Sequence, residues 1–168
     1  MTDTKSLADN AAQAYQTGDF ERAATLYTQA AAGVQGVEAA ELKNNASVSW
    51  LQAGNAQAAY DAVQDTAEVF AAAADIRRQA LALGNEAAAL DALTRHHEAT
   101  AHYQSCADLL ESIGEDQLHA SVMQSLAGLL MRRGKLFDAL IAMNSGLRGV
   151  KSPTLKQKIL RTLLKIRW

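Results

Sequence analysis

Five side chains of this 168-residue sequence have the types that most often do chemistry: His96, His97, His102, His119 and the single cysteine, Cys106. His102 and Cys106 are four residues apart, and on a helix that spacing would set two metal ligands on one face. A zinc centre needs three or four ligands in a recognisable Cys/His framework. None is present, so these residues are expected to have packing and surface roles, with no metal and no cofactor. Catalytic motifs are also missing. There is no glycine-rich phosphate loop, no serine elbow and no HExxH. The carboxylates are dispersed, which is the pattern of solvated helix faces. The sequence is therefore expected to encode a non-enzyme.

The elements that would position any site are legible in the punctuation. Gly18-Asp19-Phe20 is followed by Ala23, Tyr27 and Ala30; Gly54-Asn55-Ala56 by Ala59 and Val63; Gly134-Lys135-Leu136 by Ala139 and Met143. Each glycine divides two apolar, alanine-rich stretches of helical length. Self-similarity of this kind predicts a stack of helix pairs. Composition agrees: the chain is 49% hydrophobic but only 5% aromatic, and its one proline is Pro153. Alanine is the strongest helix former, and no stretch alternates with a strand's period of two. The expected class is all-α, a single domain of helix pairs at about 4–17 and 20–33, 38–53 and 55–72, 75–94 and 96–113, and 116–133 and 135–148. A last helix runs from Pro153, with Ser152 as its N-cap. The linkers are short: 33–37, 114–116 and 146–151.

These turns and packing positions resemble the tetratricopeptide repeat family, whose unit is a helix hairpin of about 34 residues. The four repeats would be 4–37, 40–73, 80–113 and 120–153, with a capping helix at 153–168, forming an α-α superhelix. Repeat 1 matches best, through Gly18, Phe20, Ala23, Tyr27 and Ala30. Repeat 3 has Thr94 in place of the turn glycine and Cys106 in its last small position. The turn positions 18, 54, 94 and 134 are 36, 40 and 40 residues apart, longer than that family's unit. The stretch from Leu109 to Ala139 is similar to the longer repeats of regulatory and SNAP-like helical proteins. Independently of the family, Ala23, Ala59, Ala99 and Ala139 are expected where the helices of each hairpin cross.

The resemblance implies a concave groove lined by the first helix of each hairpin, where an inward asparagine grips the backbone of a bound peptide. The matching positions are Asp9, Asn45, Asn85 and Ser125, with Tyr15, Val48, Leu51, Gln124 and Met131 beside them and Asn44 as a further neighbour. An amide both donates to and accepts from a peptide unit. The family's carboxylate clamp is not matched, because Ala8, Ala12, Leu81 and Asn85 occupy its basic positions. The implied partner is another protein or peptide.

Charge divides the chain. Residues 1–131 carry six basic and seventeen acidic side chains, a net of −11; residues 132–168 carry ten basic and one acidic, a net of +9. The basic end comprises Arg132, Arg133, Lys156, Lys158, Arg161 and Lys165. Such asymmetry fits a basic capping helix, or head-to-tail self-association and assembly within a larger complex. The pI near 6.1 and the absence of a basic aromatic surface speak against nucleic acid. A membrane-surface helix requires the stripe of Leu155, Ile159, Leu160, Leu163, Leu164 and Ile166 to be free. Packing of that stripe on repeat 4, as a solenoid's cap, is the expectation here. The N-terminus lacks the features of a secretory signal and no apolar run reaches 18 residues, so a cytoplasmic location is expected.

Overall fold

The computed structural model describes residues 4–150, 153–155, 157–159 and 162. Among these residues nine helices follow one another without a strand: α1 (Thr4–Gln16), α2 (Phe20–Ala31), α3 (Gly36–Gln52), α4 (Ala56–Val63), α5 (Thr66–Ala72), α6 (Ile76–Ala92), α7 (His96–Ser112), α8 (Asp116–Arg132) and α9 (Leu136–Arg148). Neighbours in sequence pack as neighbours in space: α1 on α2, α2 on α3, α6 on α7, α7 on α8 and α8 on α9. The all-α stack of hairpins is thus as expected.

One joint recurs along the stack. The main-chain N–H groups of Asp19, Asn55, Asp75, Arg95, Glu115 and Lys135 donate to the carbonyls of Ala14, Trp50, Phe70, Leu90, Leu110 and Leu130, at 2.9–3.0 Å. Each bond closes the end of one helix just before the next begins, the 6→1 pattern that satisfies an orphan carbonyl. The residue before each donor has a left-handed backbone. From Gly54 onward these residues are 54, 74, 94, 114 and 134, one every twenty. The turns between the later hairpins, at Ala74 and Gly114, are therefore built like the turns within them.

Thr94 completes the fourth joint, the turn inside the third hairpin, with φ of 60°. The missing glycine has not changed the turn; a β-branched residue has been forced into it. Left-handed backbone costs an L-residue about 1–2 kcal/mol, against about 0.5–1 kcal/mol for glycine's extra flexibility. Thr94→Gly is expected to raise stability by about 0.5–1 kcal/mol, read as a higher urea midpoint at unchanged slope.

Two boundaries differ from expectation. The helix expected over 55–72 is two helices, α4 and α5, parted at Gln64 and Asp65. Asp65 takes φ of 60°, and the buried Thr66 hydroxyl donates to the Val63 carbonyl at 2.7 Å, supplying a bond that the broken ladder lost. Gly146, expected to open a linker, lies inside α9 and is buried. It sits where α9 meets α8, against Ala120 and Met123.

The core is made of small residues. Ala23, Ala59, Ala99 and Ala139 are fully buried, as the hairpin crossings require. The largest cluster joins Ala87, Leu90, Ala99 and Tyr103 to Leu126, Leu129, Leu130 and Ala139, across α6 to α9. A second gathers Ala40, Ala67, Phe70 and Ala82, so α5 closes over α3 and α6.

Of the expected capping stripe, Leu160, Leu163, Leu164 and Ile166 lie outside the described residues. Leu155 and Ile159 are described, and they are 74% and 54% exposed. It is Gln157 that reaches back to the stack, its Nε2 donating to Gln117 Oε1 on α8 at 3.3 Å. At its described positions, the apolar stripe does not cap the stack.

Candidate partner-binding groove

The first helices of the hairpins, α3, α6 and α8, contribute most of the lining of three clefts. The first cleft, about 400 Å³, lies between α3 and α6. Asn44, Asn45 and Glu41 come from α3, and Leu81, Asn85 and Arg78 from α6. Asn45 is exposed, whereas its neighbour Asn44 is buried. Asn44 donates through Nδ2 to the Ala40 carbonyl at 2.9 Å and accepts at Oδ1 from Asn85 Nδ2 at 3.0 Å. The buried amide is thereby satisfied, and it holds Asn85 in position across the helix interface.

Cations at the rim of this cleft are already engaged. Arg78 bonds Asp75 at 2.7 Å and Glu41 at 2.9 Å, while Arg77 bonds Glu115 at 2.8 Å. The Arg78 main-chain N–H and guanidinium hold the Asp75 carboxyl below its ordinary range. These ion pairs fix the edges of the cleft and are not a carboxylate clamp.

Two further clefts, of about 500 and 530 Å³, share Asp91, Tyr103 and Arg132. Leu51, Ala88 and His96 line one; Ser121, Gln124, Ser125 and Gly128 line the other. Asp91 is the hub. One oxygen meets His96 Nδ1 at 3.2 Å and the other accepts from Arg132 Nη2. Burial, with the Asp91 charge second, pushes the Tyr103 hydroxyl up to about 12.

Asn45, Leu51, Asn85, Gln124 and Ser125 therefore line described clefts. Asp9 is exposed on α1; Tyr15 is half-buried with its ring edge-on to Phe20 at 5.2 Å; Val48 is half-buried on α3; Met131 is exposed at the end of α8. Arg132 belongs to the clefts through Asp91, while Arg133 and Lys158 are exposed. Lys156, Arg161 and Lys165 lie outside the described residues. Sequence reasoning did not single out Asp91 and Tyr103 as cleft residues, whereas Gly128 was expected in the groove and lines the last cleft. The signal available was register: Asp91 follows Leu51 by forty residues, and Arg132 follows Asp91 by forty-one.

The histidines and the cysteine are separated into other roles. His102 Nδ1 is 3.3 Å from Glu86 Oε2, and burial raises the Glu86 carboxyl above its ordinary range. His119 is buried. Cys106 is buried against Gly84, in the small slot that Ala30, Thr66 and Gly146 occupy in the other hairpins. Among the described residues, no group of three His, Cys, Asp or Glu side chains is placed to hold a metal ion. No helix among them is long and apolar enough to cross a membrane.

No protein-family model matches the chain, and no curated protein does. Solved structures do. The crystal structure of BtubC (BKLC) from P. vanneervenii superposes with a TM-score of 0.75 at 15% identity, over 95% of this chain and 70% of that one. A Podosopora anserina putative kinesin light chain with nearly identical TPR-like repeats gives 0.77 at 13% identity, over 98% of this chain and 87% of that one. These structural neighbours are TPR-like repeat proteins of the kinesin light chain type, and the fold of this chain is the TPR-like repeat fold.

Proposed function

We propose that this TPR-like stack is a non-catalytic adaptor that holds a peptide or helix of another protein along α3, α6 and α8. The observation that carries the reading is the asparagine pair at the first cleft. Asn45 offers an open amide, and Asn85 is held by Asn44 with its Oδ1 left for a ligand N–H. A peptide there would meet backbone-directed groups first, then Leu51 and the Asp91–Arg132 pair further along. Fold alone does not assign function, so the groove's own side chains must bear the claim.

Peptides selected on the wild-type chain from a displayed random library supply the test. Affinity for the Asn45→Ala, Asn85→Ala double variant is expected to fall at least about tenfold, two lost hydrogen bonds of ordinary strength. Asn45→Ala alone keeps the Asn44–Asn85 contact and serves as the fold-neutral control. Selected peptides that bind both variants as tightly as wild type would remove the groove from the account.

A further inference from the structure

We infer that the C-terminal end of the stack is a docking surface for an anionic lipid bilayer. Four large apolar side chains of α9 face outward: Leu136, Phe137, Leu140 and Ile141, with Phe137 80% exposed and Ile141 58%. Spaced i, i+1, i+4 and i+5, they form one continuous stripe. The equivalent positions of the earlier hairpins are Phe20, Glu21, Ala24 and Thr25; Ala56, Gln57, Tyr60 and Asp61; and His96, His97, Thr100 and Ala101. Only the last hairpin makes all four large and apolar; the equivalents of Phe137 and Ile141 are exposed in every earlier hairpin, so repeat packing does not account for these two. Leu155 and Ile159 add exposed apolar groups on the following segment.

Charge selects the occupant. Arg133, Lys135, Arg148 and Lys158 are exposed, and Arg133 and Lys135 make no ion pair among the described residues. Past residue 131 the only acidic side chain is Asp138. The partner must therefore accept apolar side chains and cations together. A second copy docked symmetrically would set cation against cation. One docked head to tail would bring up α1, whose exposed Ser6, Asp9, Asn10 and Gln13 cannot cover Phe137 or Ile141. An anionic bilayer satisfies both demands, because apolar groups enter the acyl boundary while cations meet the headgroups.

Vesicle flotation of the full chain tests this, using phosphatidylcholine with and without about 30% phosphatidylglycerol, at low and high salt. Wild type is expected to float with the anionic vesicles at low salt and to be released at high salt. Phe137→Ser with Ile141→Ser, both exposed positions, should weaken flotation at least about tenfold, and so should Arg133→Glu with Lys135→Glu. The groove variant Asn45→Ala, Asn85→Ala should float like wild type, which keeps the two surfaces separable. Wild type left unbound by anionic vesicles at low salt would overturn the inference. So would a wild-type dimer that Phe137→Ser, Ile141→Ser disperses without any vesicle binding, which would assign the face to a second copy.

Discussion

Gly146→Ala is expected to destabilise the chain by about 1–3 kcal/mol, although alanine is the better helix former. Glycine inside a helix normally costs about 0.5–1 kcal/mol relative to alanine, so the naive sign is a gain. At Gly146 the added Cβ would lie 2.7 Å from Met123 Cβ and 3.3 Å from Ala120 Cα. The second neighbour is backbone, and α8 cannot move away without opening the largest core cluster. Gly128, on the facing helix, gives the opposite outcome. A Cβ there meets only the far end of Arg132, at 3.5 Å. Gly128→Ala should therefore stabilise by about 0.5–1 kcal/mol. For a chain of this length each kcal/mol shifts the melting midpoint by roughly 2–4 °C, so two melting curves decide the matter. If both variants melt higher than wild type, the close approach of α8 and α9 at Gly146 is wrong.

The second large effect concerns Cys106. Burial pushes its thiol up from an ordinary 9.0 to about 12. The thiolate is the reactive form. At pH 8 its population is about a thousandfold below that of an exposed cysteine, before any steric barrier is counted. Disulfide-reagent labelling of the native chain should accordingly be at least about a thousandfold slower than in urea, and should follow opening of the α6–α7 hairpin. Similar native and denatured rates would contradict the burial. The linkage has a definite sign: a raised pKa gives stability that is complete below pH 9 and lost as pH rises through about 12. Acidification should leave this contribution untouched.

Much of the fold was legible because it is written in local chemistry. Gly18, Gly54 and Gly134 marked turns because left-handed backbone selects glycine, and Ala23, Ala59, Ala99 and Ala139 marked crossings because close helices select small residues. Thr94 was placed by interval alone, and the structure shows the same turn under strain. The break at Gln64–Asp65 was hidden, because neither residue is a helix breaker and the bond that replaces the ladder comes from Thr66. The candidate groove was half visible. Asn45 and Asn85 were found by register, but the Asn44–Asn85 contact joins residues forty-one apart on two helices. Leu155 and Ile159 read as a cap since amphipathic periodicity shows that a helix has an apolar face, without showing what covers it.

Among the described residues, alanine makes up twenty of the thirty-two buried hydrophobic side chains. Each withdraws little apolar surface from water, and the contacts come instead from backbones lying close together. The heat-capacity change of unfolding scales chiefly with apolar surface exposed, so it is expected to be small here for the length of the chain. A small heat-capacity change flattens the curve of stability against temperature. The stack is therefore expected to keep its stability over a broad thermal range, and cold should weaken it less than it weakens a protein built on leucine and phenylalanine.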